Sequence, residues 1–300
     1  MASSRPTNVG ICGLEVYLCR QKVDQKCLEE HDQVSSGKYT VGLGQEAMAV
    51  CAEWEDTASM SLTVVSALLR HYALTPSDIG RLEVGTETPL DRSKSIKTFL
   101  MPLFAASGNT DLPGVDCINA CFGATQALFN AADWIESSAW DGRLAIVVAS
   151  DVAIYAEGPA RPTGGCGAVA MLIGPDAPLA LERRNVAHHA EHVFDFHKPA
   201  GLYPQVDAKV QPSTLLSRQC GNMYTASLWG GLAGLVESQG AALEGRRLLL
   251  FSYGSGAIAA AFCMHGRRVA GKFSLDQMQT QVKLAQRSFA EIATADGDVA

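Results

Sequence analysis

The run VDCINACFGATQALFNAADWIESSAWDGRLAIVVAS, residues 115–150 of a 300-residue chain, decides the fold class. Val115 to Ala120 reads as a short strand. Residues 121–137 follow as a long helix with small residues at its start, and RLAIVVAS (143–150) is a fully apolar strand capped by Asp151. A strand, a helix and a buried strand in succession are the unit of an α/β fold.

Outward from this unit the same alternation continues. NVGICGLEVYL (8–18) is a compact apolar run broken by glycine, as in a buried strand. Residues 58–73 carry apolar side chains at helical spacing and stop at Thr75-Pro76. Ile79 to Val84 forms a strand, residues 94–106 a helix, and CGAVAMLIG (166–174) a further strand. Met223 to Gln239 reads as a helix, with strands at Arg246–Phe251 and Ala257–Met264. The chain turns polar, with weak helical periodicity, from about Lys272, and its last ten residues are expected to be unstructured. Residues 182–218 show little periodicity and read as a loop-rich connector.

The chain has 24 basic and 31 acidic side chains, a net charge of −7, with 47% hydrophobic and 18% charged residues. It can bury a large core, and disordered or low-complexity classes are excluded. No Lys/Arg block points to nucleic acid or an anionic membrane, and no apolar run is long enough to span a bilayer. Nine scattered cysteines without a CxxC pair point to reduced thiols and a cytoplasmic setting. The opening MASSRPTNVG lacks the apolar core of a secretory leader.

Three places carry candidate chemistry. Cys121 sits where strand gives way to helix, where unpaired N–H groups and the helix dipole favour a thiolate and could hold an oxyanion. Position alone leaves a small buried apolar residue as the other reading. Glu87, just beyond the strand 79–84, is at the strand end where α/β folds place their sites, and a carboxylate held among apolar walls there has a raised pKa suited to a general base. The other reading is an exposed loop acid. Tyr253-Gly254-Ser255-Gly256 and Arg161-Pro162-Thr163-Gly164-Gly165-Cys166-Gly167 are tight turns that let backbone approach a ligand, without the spacing of a dinucleotide or phosphate loop. Four of the seven histidines (His188, His189, His192 and His197) fall in the connector, but no HExxH or CxxC accompanies them, and no metal site is read there.

Together these runs resemble the hydroxymethylglutaryl-CoA synthase family of the thiolase superfamily. The resemblance is dense over 8–210. It rests on VDQ (23–25), GKYTVGLGQ (37–45), IGRLEVGTET (79–88), DRSKSIKT (91–98), SGNTD (107–111), NAC.G (119–123), SAWDGR (138–143) and RPTGG.GAVA (161–170). It resumes at GNMYTAS (221–227) and FSYGSG (251–256). The resemblance implies a thiolase-like α/β fold of two related halves packed as layered sheets and helices. The first half would span 8–175, a connector 176–218, and an incomplete second half 219–290. It implies an acyltransferase of the mevalonate route to isoprenoids and sterols, joining acetyl-CoA to acetoacetyl-CoA with no resident cofactor, and a homodimer.

In that scheme Cys121 is the acyl-carrying nucleophile and Glu87 the acid/base. Thr163, Asn222 and Ser255 contact the bound acyl-CoA, and Asp151 and Tyr155 line the catalytic pocket. Three departures stand out. Ser35-Ser36 replaces the family's Asp-Ala pair, and Pro159 replaces an asparagine. After YPQVDAKV (203–210) the chain passes almost directly to QPSTLLSRQCGNMYT. The family's long block at that junction, with its catalytic histidine, is expected to be missing, along with the end of the family pattern beyond 271. No catalytic histidine is assigned. The alternative is a non-catalytic splice form or gene-model fragment of the family.

Overall fold

A computed structural model describes residues 5–192 and 210–295. In chain order the elements are β1 (Gly10–Leu18), β2 (Gln21–Asp24), α1 (Gln25–His31), β3 (Ala47–Val50), α2 (Thr57–His71), β4 (Ile79–Gly85), α3 (Ile96–Leu100), α4 (Pro102–Ala105), β5 (Asp116–Cys117) and α5 (Gly123–Ile135). They continue as β6 (Leu144–Ala153), β7 (Gly165–Gly174), β8 (Leu179–Leu181), β9 (Ala187–Ala190), α6 (Leu215–Cys220), α7 (Ser227–Gln239), β10 (Arg247–Gly254), β11 (Ile258–Gly266) and α8 (Leu275–Ala295).

One mixed sheet runs in the order β10-β11-β8-β1-β7-β6-β4-β5, with β9 pairing beside β11. Strands β4, β5 and β6 are parallel, whereas β6–β7, β7–β1 and β10–β11 are antiparallel. The pair β2–β3 stands apart. The α/β reading of the sequence holds.

The sheet curls around α5. On one flank α5 lies against β4 and β6. On the other, Thr125 Oγ1 donates to Ser252 Oγ of β10 at 2.8 Å, and Phe129 meets Phe262 of β11 edge-on at 5.3 Å. Trp229 of α7 packs on the same Phe262 at 6.3 Å. Helix α2 covers β1, β6 and β7. Its start is set by Asp56, which accepts from Ser59 N at 2.7 Å while Ser59 Oγ accepts from Asp56 N, a reciprocal capping box. Among the described residues no helix is long and apolar enough to cross a membrane.

Several boundaries differ from the sequence reading. The helix expected over 94–106 is split at Met101, because Pro102 has no N–H to continue it. The strand expected from Val115 to Ala120 pairs only at Asp116–Cys117, and α5 begins at Gly123 rather than at residue 121. The connector holds β8, β9 and α6, while His197 and the rest of 193–209 lie outside the described residues. Helix α8 runs through residues 291–295, part of the stretch expected to be unstructured; residues 296–300 lie outside the described residues.

Candidate active site

The site is built at the C-terminal ends of the parallel strands, the usual place for one in an open α/β sheet. Glu87 leaves the end of β4, Cys121 follows β5, and Asp151 lies near the end of β6. Two glycines let the start of α5 press onto these ends. A Cβ at Gly85 would lie 2.1 Å from Ala124 N, and one at Gly123 would lie 2.2 Å from Cys117 O. Any larger residue at either position would push Cys121 away from Glu87.

The Glu87 loop is held from below by Asp151, which is fully buried. Its Oδ1 accepts from Thr86 Oγ1 (2.8 Å), Glu87 N (2.8 Å), Thr88 N (3.0 Å) and Thr88 Oγ1 (2.7 Å), and its Oδ2 accepts from Thr225 N (3.1 Å). Burial pushes the Asp151 carboxyl above its ordinary range, and these bonds, led by that from Thr88, pull it back. A buried carboxylate survives only when its lone pairs are filled in this way. Asp151 therefore anchors the loop; with no exposed surface, it does not line a cavity as the sequence reading expected.

Cys121 is half-buried and adopts φ +57°, a left-handed conformation that non-glycine residues rarely take. This strain turns its N–H toward Glu87, whose Oε2 accepts it, and the Cys121 side chain also bonds to the same carboxyl. Burial pushes the Glu87 carboxyl up from its ordinary value. The Cys121 N–H opposes this, and the nearby Asp151 charge adds to it.

The sequence reading expected open N–H donors at the head of the helix. The structure shows them engaged. Phe122 N and Gly123 N both donate to Asn119 O (3.2 and 3.0 Å), and Ala124 N donates to Thr225 Oγ1 (2.7 Å). Buried backbone donors are paired almost without exception, and in this helix start the pairing comes from the chain itself.

Of the remaining expected residues, Thr163 and Asn222 lie side by side. Asn222 N donates to Thr163 O at 3.1 Å, and Asn222 Oδ1 accepts from Tyr224 N (2.8 Å) and Ser227 Oγ (3.0 Å). Thr163 and Asn222 line an open pocket of about 620 Å³, together with Gln45, Gly221 and Arg218. Ser255 follows Gly254, whose missing Cβ leaves room for Ala120 O at a position 1.9 Å away, so the β10–β11 turn rests on the Cys121 loop. Tyr155 packs edge-on against Tyr224 at 6.1 Å.

Tyr224 is the residue that sequence reasoning missed. Its φ is +45°, and its hydroxyl bonds to Tyr155. The phenol pKa is pushed up first by burial, then by Tyr155, with the charges of Glu87 and Cys121 adding. The signal was present in GNMYTAS (221–227), where only Asn222 had been singled out.

No described histidine with an assigned partner belongs to this cluster. His71 pairs with Glu15 (2.8 Å), His265 with Glu182 (2.7 Å) and His189 with Glu191 (3.3 Å), and His188 packs on Phe129.

The chain matches two family profiles. Residues 5–178 match the one described as "Hydroxymethylglutaryl-coenzyme A synthase N terminal", and 203–295 the one for the C terminal. It is 58% identical over 207 residues to hydroxymethylglutaryl-CoA synthase erg13B of Aspergillus fumigatus, covering 68% of this chain and 45% of that protein. The chain thus spans less than half the length of that relative. It is 39% identical over 364 residues to hydroxymethylglutaryl-CoA synthase A of Dictyostelium discoideum, covering 86% of this chain and 76% of the relative. Since 86% of 300 residues is about 258, about 106 of those 364 positions have no counterpart here. A solved structure titled "MvaS in complex with 3-hydroxy-3-methylglutaryl coenzyme A" superposes with a TM-score of 0.84 at 26% identity, over 97% of this chain and 89% of that one. The fold is thiolase-like, and the chain belongs to the hydroxymethylglutaryl-CoA synthase family.

Proposed function

We propose that the chain carries the acyl-CoA condensing chemistry of its family, from acetyl-CoA, acetoacetyl-CoA and water to hydroxymethylglutaryl-CoA and CoA. The observation that carries this reading is the Glu87 carboxyl bonded to both the backbone N–H and the side chain of Cys121. The Cys121 sulfur attacks the acetyl thioester, its proton passes to the departing CoA sulfur, and acetyl-Cys121 forms. As the acetyl oxygen enters, it takes over the Cys121 N–H and releases Glu87 to face the acetyl methyl. Glu87, its basicity raised by burial, removes a methyl proton, and the resulting carbanion attacks the ketone carbon of acetoacetyl-CoA. The alkoxide that forms takes a proton back from Glu87. Water then hydrolyses the thioester and restores the Cys121 thiol.

In this reading the acyl-CoA contacts fall to Thr163 and Asn222, which line one open pocket, and to Ser255. No resident cofactor enters the scheme. Assembly as a homodimer, a cytoplasmic setting and a place in the mevalonate route to isoprenoids and sterols belong to the same proposal.

Purified protein should release free CoA at full rate only when both thioesters are present. With acetyl-CoA alone, one acetyl mass should appear on the peptide that holds Cys121, and Cys121→Ser should abolish it. Absence of the adduct at saturating acetyl-CoA would overturn the proposal.

A second reading, a non-catalytic product of the same gene family, is favoured by the roughly 106 unmatched positions and by the pairing of His71 with Glu15 and of His265 with Glu182. Folded protein that forms neither the acetyl adduct on Cys121 nor the condensation product would support it.

A further inference from the structure

Three cysteines that are far apart in sequence meet in space. Cys19 follows β1, Cys51 follows β3, and Cys166 lies in β7. Their sulfur atoms all lie within 4.8 Å of one another, with Cys19 Sγ to Cys51 Sγ at 3.8 Å. A fourth sulfur, the Met60 thioether on α2, lies 3.3 Å from Cys19 Sγ. Cys19 and Cys166 are 0% and 1% exposed, while Cys51 is half-buried. None of these residues has a part in the chemistry proposed above, and none of the nine cysteines is in a disulfide.

The geometry matches a coordination shell. Metal–sulfur bonds of about 2.3 Å place neighbouring ligand sulfurs about 3.8 Å apart in a tetrahedron and about 4 Å apart in a trigonal plane. Thiolates with a thioether and no oxygen or nitrogen donor make a soft set, which selects Cu(I) over the harder divalent ions. Access exists as well. Cys51 and Cys166 form part of the wall of a pocket of about 200 Å³.

We infer that Cys19, Cys51 and Cys166, with Met60 alongside, form a binding site for one thiophilic d10 metal ion of the Cu(I) class. The ion keeps its oxidation state on binding, and each thiol that coordinates gives its proton to solvent. The site was hidden in the sequence because its ligands come from three distant segments rather than from one short motif.

The test is an anaerobic titration of the full chain with Cu(I) supplied by a chromogenic chelator, followed by X-ray absorption at the copper edge. One equivalent should leave the chelator, and its first shell should contain sulfur only. Cys51→Ser, at a half-buried position, should weaken retention at least tenfold, Met60→Leu less, and Cys27→Ser, at an exposed and remote thiol, not at all. Three results would overturn the inference: failure to retain Cu(I) against the chelator, retention unchanged in Cys51→Ser, or tighter retention of Zn(II) than of Cu(I) in the same competition. Cys19→Ser serves as a second variant, with its thermal transition recorded without metal, so that loss of binding is separated from loss of fold.

Discussion

Strands β7 and β10 both carry apolar runs in sequence and meet opposite fates in the fold. GCGAVAMLIG (165–174) is buried at all ten positions, flanked by β1 and β6, with α2 and α5 packed against it. RLLLFSYG (247–254) forms the edge of the sheet, and only alternate positions are covered. Leu250 and Ser252 point inward, the latter to Thr125, while Leu249, Phe251 and Tyr253 are 77%, 62% and 44% exposed. An apolar run therefore signals that a strand requires cover, and says nothing of whether both faces receive it. The active-site residues Glu87, Cys121 and Asp151 are hung on β4, β5 and β6, on the far side of β7 from β10. The β10–β11 turn reaches them from the singly covered end.

This contrast can be broken most forcefully at the chemistry. Glu87→Gln keeps the shape but removes the base, and condensation should fall by about 10²–10⁴-fold. In the unsubstituted protein the activity must be lost as pH falls, because Glu87 works as the carboxylate. Burial raises its pKa, so the acid limb should lie above the ordinary glutamate value of 4.5. The stability effect runs the other way. A carboxyl with a raised pKa in the folded state binds its proton more tightly there than in the unfolded chain. Its contribution to stability is full below the ordinary value and is lost as pH rises through the raised one. Glu87→Gln should flatten both trends, and an unchanged acid limb in rate measurements would remove Glu87 from its role.

Asp151→Ala comes next. It strips partners from the donors of Thr86, Glu87, Thr88 and Thr225 in a fully buried place. Unfolding in urea should show a loss of about 4 kcal/mol, since each buried donor left unpaired carries a desolvation penalty. The acetyl adduct on Cys121 should also fail to form. In β7, Leu172→Ala should cost about 3 kcal/mol, because Leu172 is 0% exposed and its neighbours can close the cavity only in part.

How much of this was legible beforehand depends on range along the chain. The strand–helix–strand unit at 115–150 and the strand ends carrying Glu87 and Cys121 follow motifs that are local in sequence. The capture of the Cys121 N–H by Glu87 depends on the positive φ at Cys121 and on two close approaches, at Gly85 and Gly123, which no periodicity encodes. Tyr224 was missed because its partner Tyr155 lies across the fold, far away in sequence. The small elements β2, α1, β8 and β9 escaped because each is seven residues or shorter, too brief to show a repeat. The split at Pro102, in contrast, was readable from proline chemistry alone.

The smallest effect is the most discriminating between the edge and the centre of the sheet. Leu249→Ser replaces a side chain that already stands 77% in solvent, on a strand paired on one side only. Folding stability in urea should change by less than about 0.5 kcal/mol, in the range usual for surface substitutions. Light scattering at raised protein concentration should fall, because exposed apolar edges template association between chains. The matched change Leu172→Ser, at the doubly covered centre, should unfold the protein outright or leave only insoluble material. If Leu249→Ser instead costs several kcal/mol, the outer face of β10 is covered in solution, and the contrast between β7 and β10 disappears.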